Sequence, residues 1–252
     1  MLNKKLRHLT LCYVPLFLDI IINIDILNKE EIMKLFQNNR DYSGLNNIKD
    51  FFQSNLNDKR ISVQVLYNNI CNDIIIKYVI SVLSSKIHES LGLIRVDQLF
   101  IDFYNIEKEY KFLLNESSAI EEHDVILRNN SFLAFPWRKD SLSWMFEKFP
   151  NDNFVWKEDE NHSITLVKPF NIYFVNGGNH SIACAKIFNK DGIIKCNSAV
   201  DYSKILIEYD YNGEYFIDKN KRKINKPRNK ELLDLFLLGK AIKEIEISEK
   251  KE

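Results

Sequence analysis

The sequence predicts an α+β protein: an all-helical region over residues 1–120, a small mixed sheet with helices over 121–218, and a basic linker with a C-terminal amphipathic helix over 219–252. Three observations carry this. Apolar residues recur at spacings of three and four up to about Asn115. Short β-branched and aromatic runs separated by turn residues follow Glu121. An Asn-Gly pair sits between two such runs, the strongest short-range signal for a hairpin.

The first region opens with Lys4, Lys5 and Arg7 before the apolar stretch Leu9 to Leu18, the order of a signal peptide. No small-x-small cleavage site follows, and Asp19, Asn23 and Asp25 interrupt the run, where a bilayer core would penalise each Asp by about 2.5–3.5 kcal/mol. The stretch is expected to be a buried segment with a break at Pro15. From Lys29 onward Ile32, Leu35 and Phe36 share one helical face, and Val63 to Ile87 continues the period. No proline between Pro15 and Pro136 forces these helices to end. The polar residues Glu116, Ser117, Ser118, Glu121 and Glu122 read as a joint between the halves.

In the second region strands are expected at Phe154 to Trp156, Ile164 to Val167, Ile172 to Val175, Ile193 to Lys195 and Ile205 to Tyr209, with the hairpin at Asn212-Gly213. Lys219, Lys221, Arg222, Lys223, Lys226, Arg228 and Lys230 then form a basic run. It reads as a solvated loop, with phosphate contact as the sharper alternative. A helix is expected from Glu231 to Ile247.

Composition sets outer limits. The 252 residues carry 35 basic and 35 acidic side chains, so the net charge is zero and binding to nucleic acid by bulk charge is excluded. With 45% hydrophobic and 28% charged residues the chain is too apolar for disorder and should fold around a sizeable core. Cys12, Cys71, Cys184 and Cys196 are widely spaced with no Cys-x-x-Cys pair, the pattern of reduced, buried thiols in a reducing cytoplasm.

One segment carries a chemical signal. Asn171 to Phe188 reads as an apolar strand, the adjacent Gly177 and Gly178, Asn179 as N-cap, and a helix with small Ala183, Cys184 and Ala185 close to a sheet. Unpaired N–H donors and the helix dipole attract anions at such a start, and glycines let a phosphate approach the backbone. His180 and Ser181 fall in the first turn, where an imidazole and a hydroxyl would complete a cradle. The same spacing also suits a tight turn with His180 as a capping or packed residue.

Gly178-Asn179-His180 resembles an element of the calcineurin-like metallophosphoesterases, but His180 is the last histidine and their further ligands are missing. A His-Asn-His nuclease built from His162, Asn176 and His180 lacks the compact spacing its metal requires. No metal ligands are assigned.

Val175 to Ala185 resembles the ParB and sulfiredoxin superfamily, in which a strand ends in Gly-x-His-Arg-x-x-Ala as a helix begins. Phe135-Pro-Trp-Arg-Lys-Asp-Ser-Leu142, followed by Trp144, Met145 and Phe146, resembles that family's Asn-Pro-x-x-x-Arg turn and short helix. The resemblance covers about Asp124 to Lys204. It implies a ParB/sulfiredoxin-like mixed sheet in which Gly177, Gly178, Asn179, His180 and Ser181 face a nucleotide or other phosphorylated ligand. The chain departs from the pattern in three places. Asn179 replaces the sulfiredoxin Cys, so sulfinic-acid repair is not expected. Ser181 replaces the usual Arg, and the family's Ala falls at Cys184, here a small packing residue. The Glu-Asn-x-x-Arg helix and the helix-turn-helix of ParB proteins are not evident.

Arg138 would restore the charge lost at Ser181, with Trp137 beside it. Glu160 or His162, at an expected hairpin tip, would act as general base if the tip folds over the glycine turn. For Trp137 a core aromatic is the plainer reading, and for Glu160 and His162 a solvated turn.

The expected function is binding of a nucleotide or phosphorylated ligand, with phosphate-ester hydrolysis or phosphoryl transfer as the class of any turnover. His180 and the turn amides would stabilise charge, and Mg2+ would accompany a nucleotide. The alternative is a non-catalytic protein-interaction module with a degenerate site, whose helical N-terminal region docks a partner. DNA is not a favoured partner and no membrane is expected.

Overall fold

The computed structural model describes residues 60–84, 94–101, 115–151 and 153–249. The apolar stretch Leu9 to Leu18, Cys12 and the face of Ile32, Leu35 and Phe36 lie outside the described residues.

The architecture is α+β. A long helix α1 (Arg60–Ser84) is followed by a short 3-10 turn (Val96–Gln98), β1 (Asn115–Ile126), β2 (Phe132–Leu133) and α2 (Lys139–Lys148). Next come β3 (Ser163–Lys168), β4 (Ile172–Gly177), α3 (Asn179–Ile187) and β5 (Ile193–Asp201). The chain closes with α4 (Ser203–Glu208), the hairpin β6 (Tyr209–Tyr211) and β7 (Phe216–Asp218), and α5 (Lys230–Glu249). The main sheet has the order β1-β5-β3-β4-β2. β1/β5 and β3/β4 are antiparallel, β3/β5 and β2/β4 parallel.

Alternating side chains divide the core between the two sheet faces. Leu133, Val167, Ile172, Phe174 and Val200 enter one cluster with α5 and the first half of α1. Phe132, Ile164, Tyr173, Val175, Ile194 and Cys196 enter the other with α2 and α3. Helix α1 joins both, through Leu66, Tyr67, Cys71 and Ile74 on one side and Ile75, Val79 and Val82 on the other. Cys71, Cys184 and Cys196 are buried free thiols.

Several local expectations change in the folded chain. The polar joint at Asn115 to His123 is part of β1, an edge strand paired on one side with β5. An edge strand tolerates charge because half of its surface meets water. Phe154 to Trp156 is a loop, fixed by Phe154 N–H donating to Asn151 O (3.0 Å) and by the Phe154 ring on Phe149 (4.4 Å). Ile205 to Glu208 is helical, and only Tyr209 belongs to a strand. Asp201 Oδ1 accepts from Ser203 N (2.8 Å) to start α4, and Leu206 N donates back to Tyr202 O (3.0 Å) to close its first turn, with Ile205 and Leu206 both buried. Tertiary burial overrides the β-branched preference there.

The hairpin forms where expected but with a four-residue loop, since Tyr211 pairs with Phe216. Asn212 Oδ1 accepts from the amides of Glu214 (3.1 Å) and Tyr215 (2.8 Å), and Gly213 takes the positive φ of 97°. The basic run pairs with nearby acids, Lys219 with Glu208 (2.6 Å), Arg222 with the buried Asp218 (2.5 Å) and Lys226 with Glu214 (2.8 Å). Over 232–241 helix α5 is buried almost all round instead of on one face, with Leu232, Leu233, Leu235, Phe236, Leu237, Leu238 and Ala241 enclosed. Lys240 is buried with them. Its ammonium donates to Leu206 O (2.7 Å) and pairs with Asp210 (3.0 Å) and Glu244 (3.3 Å), which a buried charge requires.

Candidate functional site

The expected strand, glycine turn and helix are present. β4 ends at Gly177, Gly178 adopts the left-handed conformation (φ 78°) and α3 begins at Asn179. Gly178, not Asn179, is the N-cap. Asn179 is buried, its Oδ1 accepting from Phe135 N (2.6 Å) and its Nδ2 donating to Val175 O (3.1 Å). It ties the turn to the segment before α2.

His180 is half-buried, with its ring edge-on to Trp137 at 4.7 Å. Its Nε2 accepts from Arg138 N (2.9 Å) and Trp137 N (3.3 Å), so the proton lies on Nδ1. Burial, aided by the neighbouring Arg138 charge, lowers its pKa from 6.5 to about 4 and keeps the ring neutral. The Arg138 side chain is exposed.

The glycine pair has a use that the sequence did not disclose. A Cβ on Gly177 would lie 2.3 Å from Asn161 O, and one on Gly178 would lie 2.2 Å from His162 Cδ2. The space expected for a phosphate over the glycines is therefore filled by the tip that joins Glu158 to His162. The condition placed on that tip is met, because it folds over the turn. His162 Nε2 is 2.6 Å from Ser181 Oγ, and its Nδ1 is 2.8 Å from Asp159 Oδ1 and 2.9 Å from Asp159 N. The His162 ring is edge-on to Trp156 at 4.8 Å. Ser181 Oγ also donates to Gly178 O (3.1 Å). Glu160 is exposed on the same tip.

The amides of Asn179, His180 and Ser181 precede the first intrahelical bond, from Ile182 N to Gly178 O (3.0 Å), and are the donors a helix start leaves over. Downstream, Cys184 is buried and its thiol is pushed up to about 12 by burial, which makes it a packing residue.

Beside the tip lies an open cleft of about 420 Å³ lined by Glu122, Glu158, Asp159, His162, Asn176 and Lys195 among others. Two of its lining residues are linked through the buried Thr165, with Asn176 Nδ2 donating to Thr165 Oγ1 (2.8 Å) and Thr165 Oγ1 2.9 Å from Ser198 Oγ. Lys195 pairs with Glu122 (2.8 Å), which holds its ammonium pKa above the usual value. Asp159 and this cleft were missed in the sequence. The Asp-x-x-His spacing in a turn was a local signal for the Asp159–His162 contact. Nothing local pointed to the cleft, whose walls come from four strands and a loop. Among the described residues no group of three or more His, Cys, Asp or Glu is placed to hold a metal ion. No helix among them is long and apolar enough to cross a membrane.

A model for a family of unknown function, DUF6710, matches residues 30–249. The chain belongs to that family. No curated protein and no solved structure matches it. The DUF6710 match spans α1, the whole sheet and α5, so the glycine turn and the tip over it lie inside the family's own region.

Proposed function

We propose that the protein is a ParB/sulfiredoxin-like domain that binds a nucleotide or another phosphorylated small molecule at the first turn of α3. Any turnover there would be phosphate-ester hydrolysis or phosphoryl transfer with His162 as general base. The observation that carries this reading is the row of leftover amides at Asn179, His180 and Ser181, with Arg138 donating its own amide to His180 in the same turn. The glycine face is covered by His162, so the ligand approaches from the Arg138 side. The likeness of Val175 to Ala185 to a nucleotide-phosphate turn supports the same reading. Mg2+ would arrive with the phosphates of a nucleotide. A cytoplasmic setting fits the three buried free thiols.

The test is a melting-temperature panel of nucleoside diphosphates and triphosphates with magnesium. At a ligand concentration about 100 times Kd, binding adds about 2.7 kcal/mol, or roughly 5–10 °C for a chain of this size. A blank panel refutes the reading. It would favour the second one, a non-catalytic interaction module whose helical region docks a protein. The observation on that side is that Asn179 and His180 already spend their side chains on protein contacts.

A further inference from the structure

We infer that Ser181 is a covalent nucleophile, activated by His162 and oriented by Asp159, and that it accepts the phosphoryl group of the bound ligand. The inference takes its substrate class from the reading above, whereas the nucleophile rests on geometry alone. A hydroxyl, an imidazole and a carboxylate stand in succession, with Ser181 Oγ 2.6 Å from His162 Nε2 and His162 Nδ1 2.8 Å from Asp159 Oδ1. That is the nucleophile, base and orienting-group relation by which a serine is activated. The imidazole is clamped. Trp156 lies on one side, the backbone of Gly178 on the other, and its side chain is only 6% exposed. The nucleophile sits at a strand–turn–helix bend, close to the leftover amides of α3.

The proton on His162 decides whether the relay works. With Nδ1 bare, it accepts from the Asp159 amide, Nε2–H points at Ser181, and the hydroxyl donates to Gly178 O. With the proton on Nδ1, it faces the Asp159 carboxylate and Nε2 is free to accept from Ser181. Amide and carboxylate are nearly equidistant from Nδ1, at 2.9 and 2.8 Å, and a hydrogen bond to an ionised acceptor is about twice as strong as a neutral one. The Asn161 amide bonded to Asp159 (2.9 Å) holds the carboxyl pKa below the usual range, so the acceptor is ionised. The relay requires the carboxylate to win this competition with the amide and set the productive tautomer. Asp159 is a positioning residue; Ser181 and His162 are the catalytic ones.

The balanced reaction runs in two halves. Ser181 Oγ attacks phosphorus as its proton passes to His162 Nε2, the Oγ–P bond forms, the bond from phosphorus to the ester oxygen breaks, and the departing alkoxide takes the proton from His162. Water then attacks phosphorus while giving a proton to His162, the Oγ–P bond breaks, and Ser181 recovers that proton as phosphate leaves. Phosphoryl is favoured over acyl transfer by the charge of the group transferred. The leftover amides at the start of α3, with the helix dipole behind them, favour the anionic oxygens of a phosphoryl group over a neutral acyl carbonyl.

The full-length protein is treated with a fluorophosphonate probe, a neutral phosphorus electrophile, and read by intact-mass and peptide mass spectrometry. One adduct is expected, on Ser181, absent in Ser181→Ala and slowed by about 10²-fold or more in Asp159→Asn. Asp159→Asn keeps the backbone amide and the fold, so it also serves where His162→Gln fails to fold. Long-range 1H–15N spectra of His162 should show the proton on Nδ1 in the wild type and on Nε2 in Asp159→Asn, a switch that a merely structural Asp159 would not cause. Release of p-nitrophenol from p-nitrophenyl phosphate is expected, and none from p-nitrophenyl acetate. Absence of the adduct overturns the nucleophile even if the nucleotide panel shifts the melting temperature. An adduct with a blank panel leaves the nucleophile and removes the proposed ligand. Cleavage of the acetate but not the phosphate overturns phosphoryl transfer.

Discussion

Replacing Gly178 by alanine adds two costs that can be measured apart. The backbone at φ 78° lies in the left-handed region, where a side chain costs about 1–2 kcal/mol. The new Cβ would stand 2.2 Å from His162 Cδ2, so the imidazole must leave its seat, giving up its contacts with Ser181 and Asp159. Each hydrogen bond lost in this way is worth about 0.5–1.5 kcal/mol net. Together these give about 2–5 kcal/mol, or a fall in Tm of roughly 4–20 °C at 2–4 °C per kcal/mol for this chain length. Gly213→Ala is the internal control. Its φ is 97° but nothing lies within 4 Å of the added Cβ, so it carries strain alone. Urea titrations of both variants at neutral pH would give the contact part as their difference, about 1–3 kcal/mol. A Gly178→Ala protein no less stable than Gly213→Ala would show that His162 does not rest on the turn, and the relay through Ser181 would go with it.

Other consequences follow from neighbouring contacts. His180 has a folded pKa near 4 against 6.5 for the free side chain, so its contribution to stability is complete above about pH 6.5 and is lost as the pH falls toward 4. Urea midpoints at pH 7 and pH 5 should fall further apart for the wild type than for His180→Gln, which keeps an acceptor but does not titrate; equal spacing would refute the neutral-histidine assignment. Gly239→Ala should destabilise despite the gain of about 1 kcal/mol in helix propensity, because its Cβ would meet Phe170 Cε1 at 2.2 Å, and a raised Tm would contradict that packing. Lys186→Ala removes an ammonium that donates to Leu127 O (3.0 Å) and Asn130 O (2.9 Å), and a loss of about 1–3 kcal/mol is expected by chemical denaturation. Glu160→Ala should change stability by less than about 0.5 kcal/mol and leave fluorophosphonate labelling intact, since its exposed carboxyl stands outside the relay.

How far the site was legible depends on the range of the interaction concerned. The turn at Gly177-Gly178 and the start of α3 are readable because only neighbouring residues decide whether a left-handed conformation is allowed. The run Ile164 to Val167 and the run Ile172 to Val175 are readable as short β-branched and aromatic stretches bounded by turn residues, and the pleat then sends alternate side chains to the two core clusters. Ile205 to Glu208 is also rich in β-branched residues yet folds as a helix, because the Asp201 contact that starts it and the packing of Ile205 and Leu206 in the core beside α5 outweigh the local strand preference. Asn179 shows the limit within the site itself. It has the character of an N-cap, yet Phe135, 44 positions away, offers a buried amide that its side chain satisfies instead.

The amino-acid sequence alone settled that a strand would stop at a glycine bend and release a helix with small residues on its inner side, since those outcomes depend on local sterics and on the spacing of apolar groups. It also settled that the charge is balanced and that a core would form. Only the tertiary structure decided what covers the bend. His162, at the end of the tip, lies 19 positions before Ser181, and the antiparallel β3/β4 pair brings the two together. Such a meeting depends on strand pairing and side-chain packing across the fold, so the carboxylate, imidazole and hydroxyl become one chemical unit only once the sheet has closed.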